Sequence, residues 1–153
     1  MPQLLWVDDE PSVLSAAKRA LRKANFDFVG VSSLEDARRL IRSGKVAVIV
    51  ADQKLNRGTG IELLEYAKAV SPASTRIILT AWSSDSLVEE AINRASVFRY
   101  ILKPWDEGEL LRDLDLAYRH HQRIMERYDL LKKIRAQNLR LEELNLNLEK
   151  IVY

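Results

Sequence analysis

Five scattered residues of this chain could do metal and phosphate chemistry if the fold brought them together. They are the acidic pair Asp8–Asp9, then Asp52, Thr80 and Lys103. Three carboxylates offer the hard oxygens that Mg2+ or Mn2+ takes. A hydroxyl and an ammonium are donors suited to phosphoryl oxygens. Each of the five stands at or just past the C-terminal end of a short apolar run: Gln3–Val7, Val46–Ala51, Arg76–Leu79 and Val97–Leu102. In open α/β sheets, sites form at the carboxyl ends of strands. Taken singly, an acidic pair after a strand more often complements a helix N-terminus, a threonine there is usually a cap, and Lys-Pro is usually a turn. The joint placement carries the signal.

The elements that must position these residues follow from hydrophobic period. Pro11–Ala24 places Val13, Leu14, Ala17 and Leu21 at helical spacing, with Pro11 suited to the first turn. Asp27–Val31 is a second strand, and Ser33 can cap a helix over Leu34–Arg42. Val46–Ala51 is apolar on both faces, the mark of a central strand covered on both sides. Gly58 and Gly60 turn the chain into a helix over Ile61–Val70, which Ser71-Pro72 ends. Arg76–Leu79, a fourth helix over Ser84–Ala95 and Val97–Leu102 complete the series. This alternation predicts an α/β fold: a doubly wound, five-stranded parallel sheet with right-handed crossovers.

After Asp106 the pattern changes. No proline follows, and Gly108 is the only glycine. Leu110, Leu114, Ala117, His121, Ile124, Tyr128 and Leu131 recur at 4-3 spacing. A second series, Leu130, Ile134, Gln137, Leu141, Leu144, Leu148 and Ile151, runs one residue out of phase with the first. A continuous helix here would be about 70 Å long, more than one small domain can cover. A parallel coiled coil with a second copy is the default reading, and a helical hairpin the alternative. The division is then a domain over residues 1–120 and a coiled-coil helix over 121–153.

Composition narrows the class. At 47% apolar and 30% charged, the 153 residues are globular in character. A net charge of +2 gives no global field toward nucleic acid or membrane. The absence of cysteine excludes disulfides and thiolate metal sites, and fits the cytoplasm. The N-terminus lacks a secretory pattern, and no apolar stretch approaches the ~20 residues of a membrane span. The basic stretch Arg119–Arg135 before leucine heptads has the layout of a basic-zipper DNA reader, but Glu126 and Asp129 interrupt it and it carries its own apolar seam. A solvated coiled-coil face is the better reading. His120 and His121 point about 100° apart on a helix and cannot chelate from one face.

The pattern Val7-Asp8-Asp9-Glu10-Pro11, Asp52, Thr80-Ala81 and Lys103-Pro104 resembles the receiver domain of two-component response regulators, over residues 3 to about 120. The resemblance implies a flavodoxin-like sheet and a phosphoryl group accepted on Asp52 from a phosphohistidine of a sensor histidine kinase or phosphotransfer protein. It implies Mg2+ (or Mn2+) held by Asp8, Asp9, Asp52 and the backbone carbonyl of Lys54. Thr80 and Lys103 would contact the phosphoryl group. Thr80 and Tyr100 would form the switch that remodels the face of the fourth helix, fifth strand and fifth helix, a face for homodimerisation. On its own, Tyr100 reads as a half-buried strand aromatic. Lys54 and Trp82 occupy the positions that flank the path of hydrolytic water, which makes them modulators of dephosphorylation; Trp82 would shield the acyl phosphate, or else contact a partner. Such a chain is not an enzyme beyond its own phosphorylation and dephosphorylation. Leu55-Asn56 stands where these domains usually carry Met-Pro, and loss of that proline predicts a looser loop.

The ending stops inside a heptad without a C-cap, which predicts a piece of a longer protein with an effector to follow. Lys103-Pro104-Trp105-Asp106 plus such a helix resembles regulators coupled to HD-type cyclic-dinucleotide phosphodiesterases, and sometimes to nucleotide cyclases or kinases. Two rival readings stand beside the switch. One is a constitutive dimerisation module with a non-signalling acidic site. The other is a phosphohydrolase with an aspartyl-phosphate intermediate, for which no general acid or substrate-binding cap is evident.

Overall fold

The computed structural model describes residues 1–82 and 84–152, with side chains described to residue 150. Its strands are β1 (Gln3–Val7), β2 (Asp27–Val31), β3 (Val46–Asp52), β4 (Lys54–Leu55), β5 (Gly58–Thr59), β6 (Thr75–Thr80) and β7 (Arg99–Leu102). Its helices are α1 (Pro11–Ala20), α2 (Leu34–Arg42), α3 (Gly60–Val70), α4 (Asp85–Glu90) and α5 (Glu107–Val152), with a π turn over Ala91–Ala95 after α4. Five strands form one parallel sheet in the order β2-β1-β3-β6-β7. All seven residues of β3 are buried, because helices cover both faces of the sheet. One face carries Leu4, Trp6, Val48, Val50, Ile77 and Leu79 against α1 and the start of α5. The other carries Leu5, Val7, Ile49, Ala51 and Ile78 against α2, α3 and the π turn.

Local chemistry sets the helix starts. Ser33, Thr59 and Ser84 accept hydrogen bonds from Asp36, Glu62 and Leu87 N–H, capping α2, α3 and α4. Asp106 does the same for α5, accepting from the Glu109 N–H at 3.0 Å. Gly44, at φ 74°, takes the left-handed conformation just past α2 at little steric cost.

Several element limits differ from the sequence reading. Helix α1 ends at Ala20 rather than Ala24, and its last turn tightens to Arg22 N–H→Arg19 and Ala24 N–H→Leu21 bonds. Strand β6 runs one residue further at each end than Arg76–Leu79, because both neighbours hold it: Thr75 pairs with Val48 and Thr80 with Leu102. Strand β7 begins at Arg99 rather than Val97, as fits an edge strand with one partner. The fourth helix over Ser84–Ala95 resolves into α4 and the π turn, with Ser96 left-handed at φ 48°. Arg76 clamps the end of that turn: its guanidinium donates to the carbonyls of Pro72, Ser74, Ala95 and Ser96.

The chain divides into two units, Met1–His121 and Gln122–Tyr153. Within the first, Thr75 Oγ1 donates to the Ala117 carbonyl at 2.9 Å, and His121 Nδ1 lies 2.7 Å from the Ala73 carbonyl. The second is helical through Val152, with Leu130, Leu131, Ile134, Leu141, Leu144 and Leu148 exposed. Leu139 and Leu146 are exposed too and belong to neither predicted series. The side chain of Ile151 and the whole of Tyr153, both within the predicted coiled coil, lie outside the described residues. Among the described residues no helix is long and apolar enough to cross a membrane.

Candidate functional site

The strand order reverses between β1 and β3, the place where open α/β sheets leave a crevice at their carboxyl ends. Val7 pairs with Ala51, so the next residues, Asp8 and Asp52, emerge side by side. Asp8, Asp9 and Asp52 bring one carboxylate oxygen each to within 4.8 Å of one another. Lys103, just beyond β7, reaches across β6 to this cluster: its Nζ donates to Asp52 Oδ2 at 3.0 Å and to Asp8 Oδ2 at 3.2 Å. Four of the five chemistry-bearing residues thus meet directly.

The electrostatics of the cluster follow from its burial. Asp8 is fully buried, and its Oδ1 accepts the Glu10 N–H at 3.0 Å. Burial pushes the Asp8 carboxyl above the ordinary carboxylate range and the Asp52 charge adds to the rise, against the pull of the Glu10 N–H and Lys103. Burial also works against the Lys103 ammonium, but hydrogen bonds and charge from Asp52 and Asp8 outweigh it and hold its pKa above the usual lysine value. One lysine does not balance three carboxylates. The excess negative charge and the hard oxygen donors suit a divalent cation, so the residues present fit Mg2+ or Mn2+.

Thr80 ends β6 beside Asp52, yet its hydroxyl is turned to its own loop. Oγ1 donates to the Trp82 carbonyl at 2.9 Å and accepts the Trp82 N–H at 3.2 Å. The Trp82 side chain is exposed, and the Lys54 ammonium stands 5.4 Å from its ring centroid. Lys54 belongs to the short ladder in which it pairs with Thr59 and Leu55 with Gly58. That ladder spans the loop in which Asn56 stands where the resemblance leads one to expect proline. Tyr100 is 45% exposed, the half-buried strand aromatic the sequence suggested: β7 is an edge strand, and Tyr100 lines an open groove of about 560 Å3 between α4 and α5.

Two residues of the site escape the sequence reading. Gln53 anchors α3 to the end of β3: its Oε1 accepts the Ile61 N–H at 3.1 Å and its carbonyl the Gly60 N–H at 3.1 Å. Gly60 is a glycine because a Cβ there would overlap the Asp52 carbonyl and come within 2.7 Å of Ile78 Cδ1. Its signal was present as one of the two glycines after Asp52; that of Gln53 was not, since it is a contact across the loop.

The sequence profile of the response regulator receiver domain matches residues 4–115. The hydrogenase transcriptional regulatory protein HoxA of Cupriavidus necator is 31% identical over 159 residues, an alignment covering 97% of this chain and 33% of that protein. The chain spans about a third of the length of the curated relatives it matches. Among solved structures, the signal receiver domain of an HD domain-containing protein from Pseudomonas fluorescens Pf-5 is similar at a TM-score of 0.78 and 30% identity, covering 82% of this chain and 93% of that one. The beryllofluoride-activated NtrC4 receiver domain dimer is similar at a TM-score of 0.74 and 26% identity, covering 79% of this chain and 99% of that one.

Proposed function

This chain belongs to the response regulator receiver family, and from that premise we propose that Asp52 accepts a phosphoryl group from a phosphohistidine on a sensor kinase or phosphotransfer protein. A carboxylate oxygen of Asp52 attacks phosphorus, the phosphorus–nitrogen bond breaks, and the imidazole leaves and regains its proton. The observation that carries this reading is the Lys103 ammonium shared between Asp52 and Asp8 at the switch point of the sheet. Lys103 follows the transferred oxygens as a point charge. Asp8, Asp9 and Asp52, with the Lys54 carbonyl, would hold Mg2+. The bound cation would neutralise phosphoryl oxygens that the carboxylates repel. The chain turns over only its own phosphorylation and hydrolysis.

The switch is Thr80. To reach a phosphoryl group on Asp52, its hydroxyl gives up the Trp82 carbonyl, and the face of α4, β7 and α5 is remodelled with Tyr100. That face and the seam of α5 would join two copies, and the helix would pass the bias to an effector. The NtrC4 receiver, described as a dimer when activated by beryllofluoride, supports dimerisation through the receiver portion. The greater length of the relatives supports an effector joined to such a receiver, and its kind differs among them: HoxA is a transcriptional regulatory protein and the Pseudomonas protein is HD domain-containing.

The deciding experiment is intact-mass analysis after incubation with acetyl phosphate and Mg2+, with Asp52→Asn in parallel. The expected result is one phosphoryl adduct that needs both Mg2+ and Asp52. Metal binding without an adduct would favour a constitutive module instead.

A further inference from the structure

Two residues before Asp8 and two residues after Lys103 stand two tryptophans, and they touch. Trp6 on β1 is fully buried; Trp105, in the connection from β7 to α5, is partly buried. Their ring centroids are 5.4 Å apart at an interplanar angle of 61°, an edge-on contact. Phe28 on β2 backs Trp6 at 6.3 Å. The Trp6 indole N–H is buried without an acceptor, so packing alone holds the pair.

The connection carrying Lys103 has few other anchors. The Lys103 N–H donates to the Thr80 carbonyl at 2.9 Å, and Asp106 caps α5. Between these points the backbone is fixed against β1 by Trp105. Lysine is a flexible four-carbon stem whose ordering costs rotamer entropy, so a backbone held in place at its Cα narrows where the ammonium can settle.

We propose that the Trp6–Trp105 contact is a positioning device for Lys103: it holds the connection against β1, keeps the ammonium between Asp8 and Asp52, and so sets how strongly the acidic cluster takes up a divalent cation. The inference rests on reading that cluster as a Mg2+ site. Its signature is a split in sign. Releasing the ammonium leaves the carboxylates more negative, so Mg2+ binds more tightly. The same release removes the charge that meets phosphoryl oxygens, so phosphorylation slows. General loosening of the domain would weaken both.

The test is calorimetric titration with MgCl2, alongside phosphorylation by acetyl phosphate. Lys103→Met should tighten Mg2+ on the order of tenfold. Trp105→Ala should move affinity the same way by a smaller factor, slow phosphorylation, and add nothing further to Lys103→Met. Trp105→Phe should restore both properties. Trp105→Leu keeps apolar bulk but removes the ring edge; it should repeat the alanine result and stands in for it should alanine unfold the domain. Unchanged or weaker Mg2+ binding in folded Trp105→Ala or Trp105→Leu would overturn the proposal. A wild-type chain that takes up no Mg2+ would overturn the reading of the cluster, and this inference with it.

Discussion

Trp82 puts an indole into solvent beside the site, steadied by the Lys54 ammonium over its ring. An exposed cation–π contact is worth about 0.5–1 kcal/mol. If the pair shields the acyl phosphate from water, Trp82→Ala shortens its lifetime roughly two- to fivefold. Lys54→Met acts the same way with smaller effect. Loss of phosphate over time after removal of the donor measures this, and an unchanged rate in Trp82→Ala ends the shielding idea. Gly60→Ala is a second case, forcing a Cβ against the Asp52 carbonyl. It should cost about 1–3 kcal/mol in urea unfolding, as overpacking does, and displace Asp52. Asp8, Asp9, Asp52 and Lys103 were legible because each ends an apolar run. The orientation of Thr80 and the anchoring by Gln53 were not, because hydrogen bonds across a loop leave no periodic trace.

At the level of elements, the apolar runs located all five strands of the sheet and marked β3 as a central one, while the order β2-β1-β3-β6-β7 is legible only in the structure. Limits failed where pairing rather than composition decides them, as at β6 and β7. The π turn left no mark, since a shift in hydrogen-bond register hardly alters apolar spacing. In α5 the two leucine series account for most exposed apolar residues after Gln122. Leu139 and Leu146 lie seven apart, on the side of the helix opposite Leu141, Leu144 and Leu148. If the seam joins two copies, Leu141→Glu with Leu148→Glu turns dimer to monomer in sedimentation, since each covered leucine contributes about 1.5–3 kcal/mol. If the phase slip near Leu130–Ile134 gives two competing packings, single cysteines placed along Leu130–Leu144 cross-link in a different pattern once Asp52 is phosphorylated. An identical pattern would remove that mechanism while leaving the dimer intact.

For the whole molecule, a cation bound only by the folded state adds stability by mass action. At a hundred times its dissociation constant, Mg2+ should add about 2.7 kcal/mol to unfolding. Thermal unfolding followed by circular dichroism should show the midpoint rising with MgCl2, and Asp9→Asn should blunt that rise. A midpoint indifferent to Mg2+ would argue against a metal site. The clamp at Arg76 bears on how such a molecule moves. One end of the α4 segment is riveted by a guanidinium to four carbonyls around Pro72, Ser74, Ala95 and Ser96. The other end follows the Trp82 loop, where the described ties are the Thr80 hydroxyl and the Lys54 ammonium over the Trp82 ring. If Thr80 acts as the proposed switch, a segment held so unequally would swing like a door, its hinge at Ala95–Ser96 and its latch at Thr80. A latch released by a phosphoryl group would open the door from the side nearest the chemistry, and the greatest travel would fall at Ser84–Asp85, not at Tyr100.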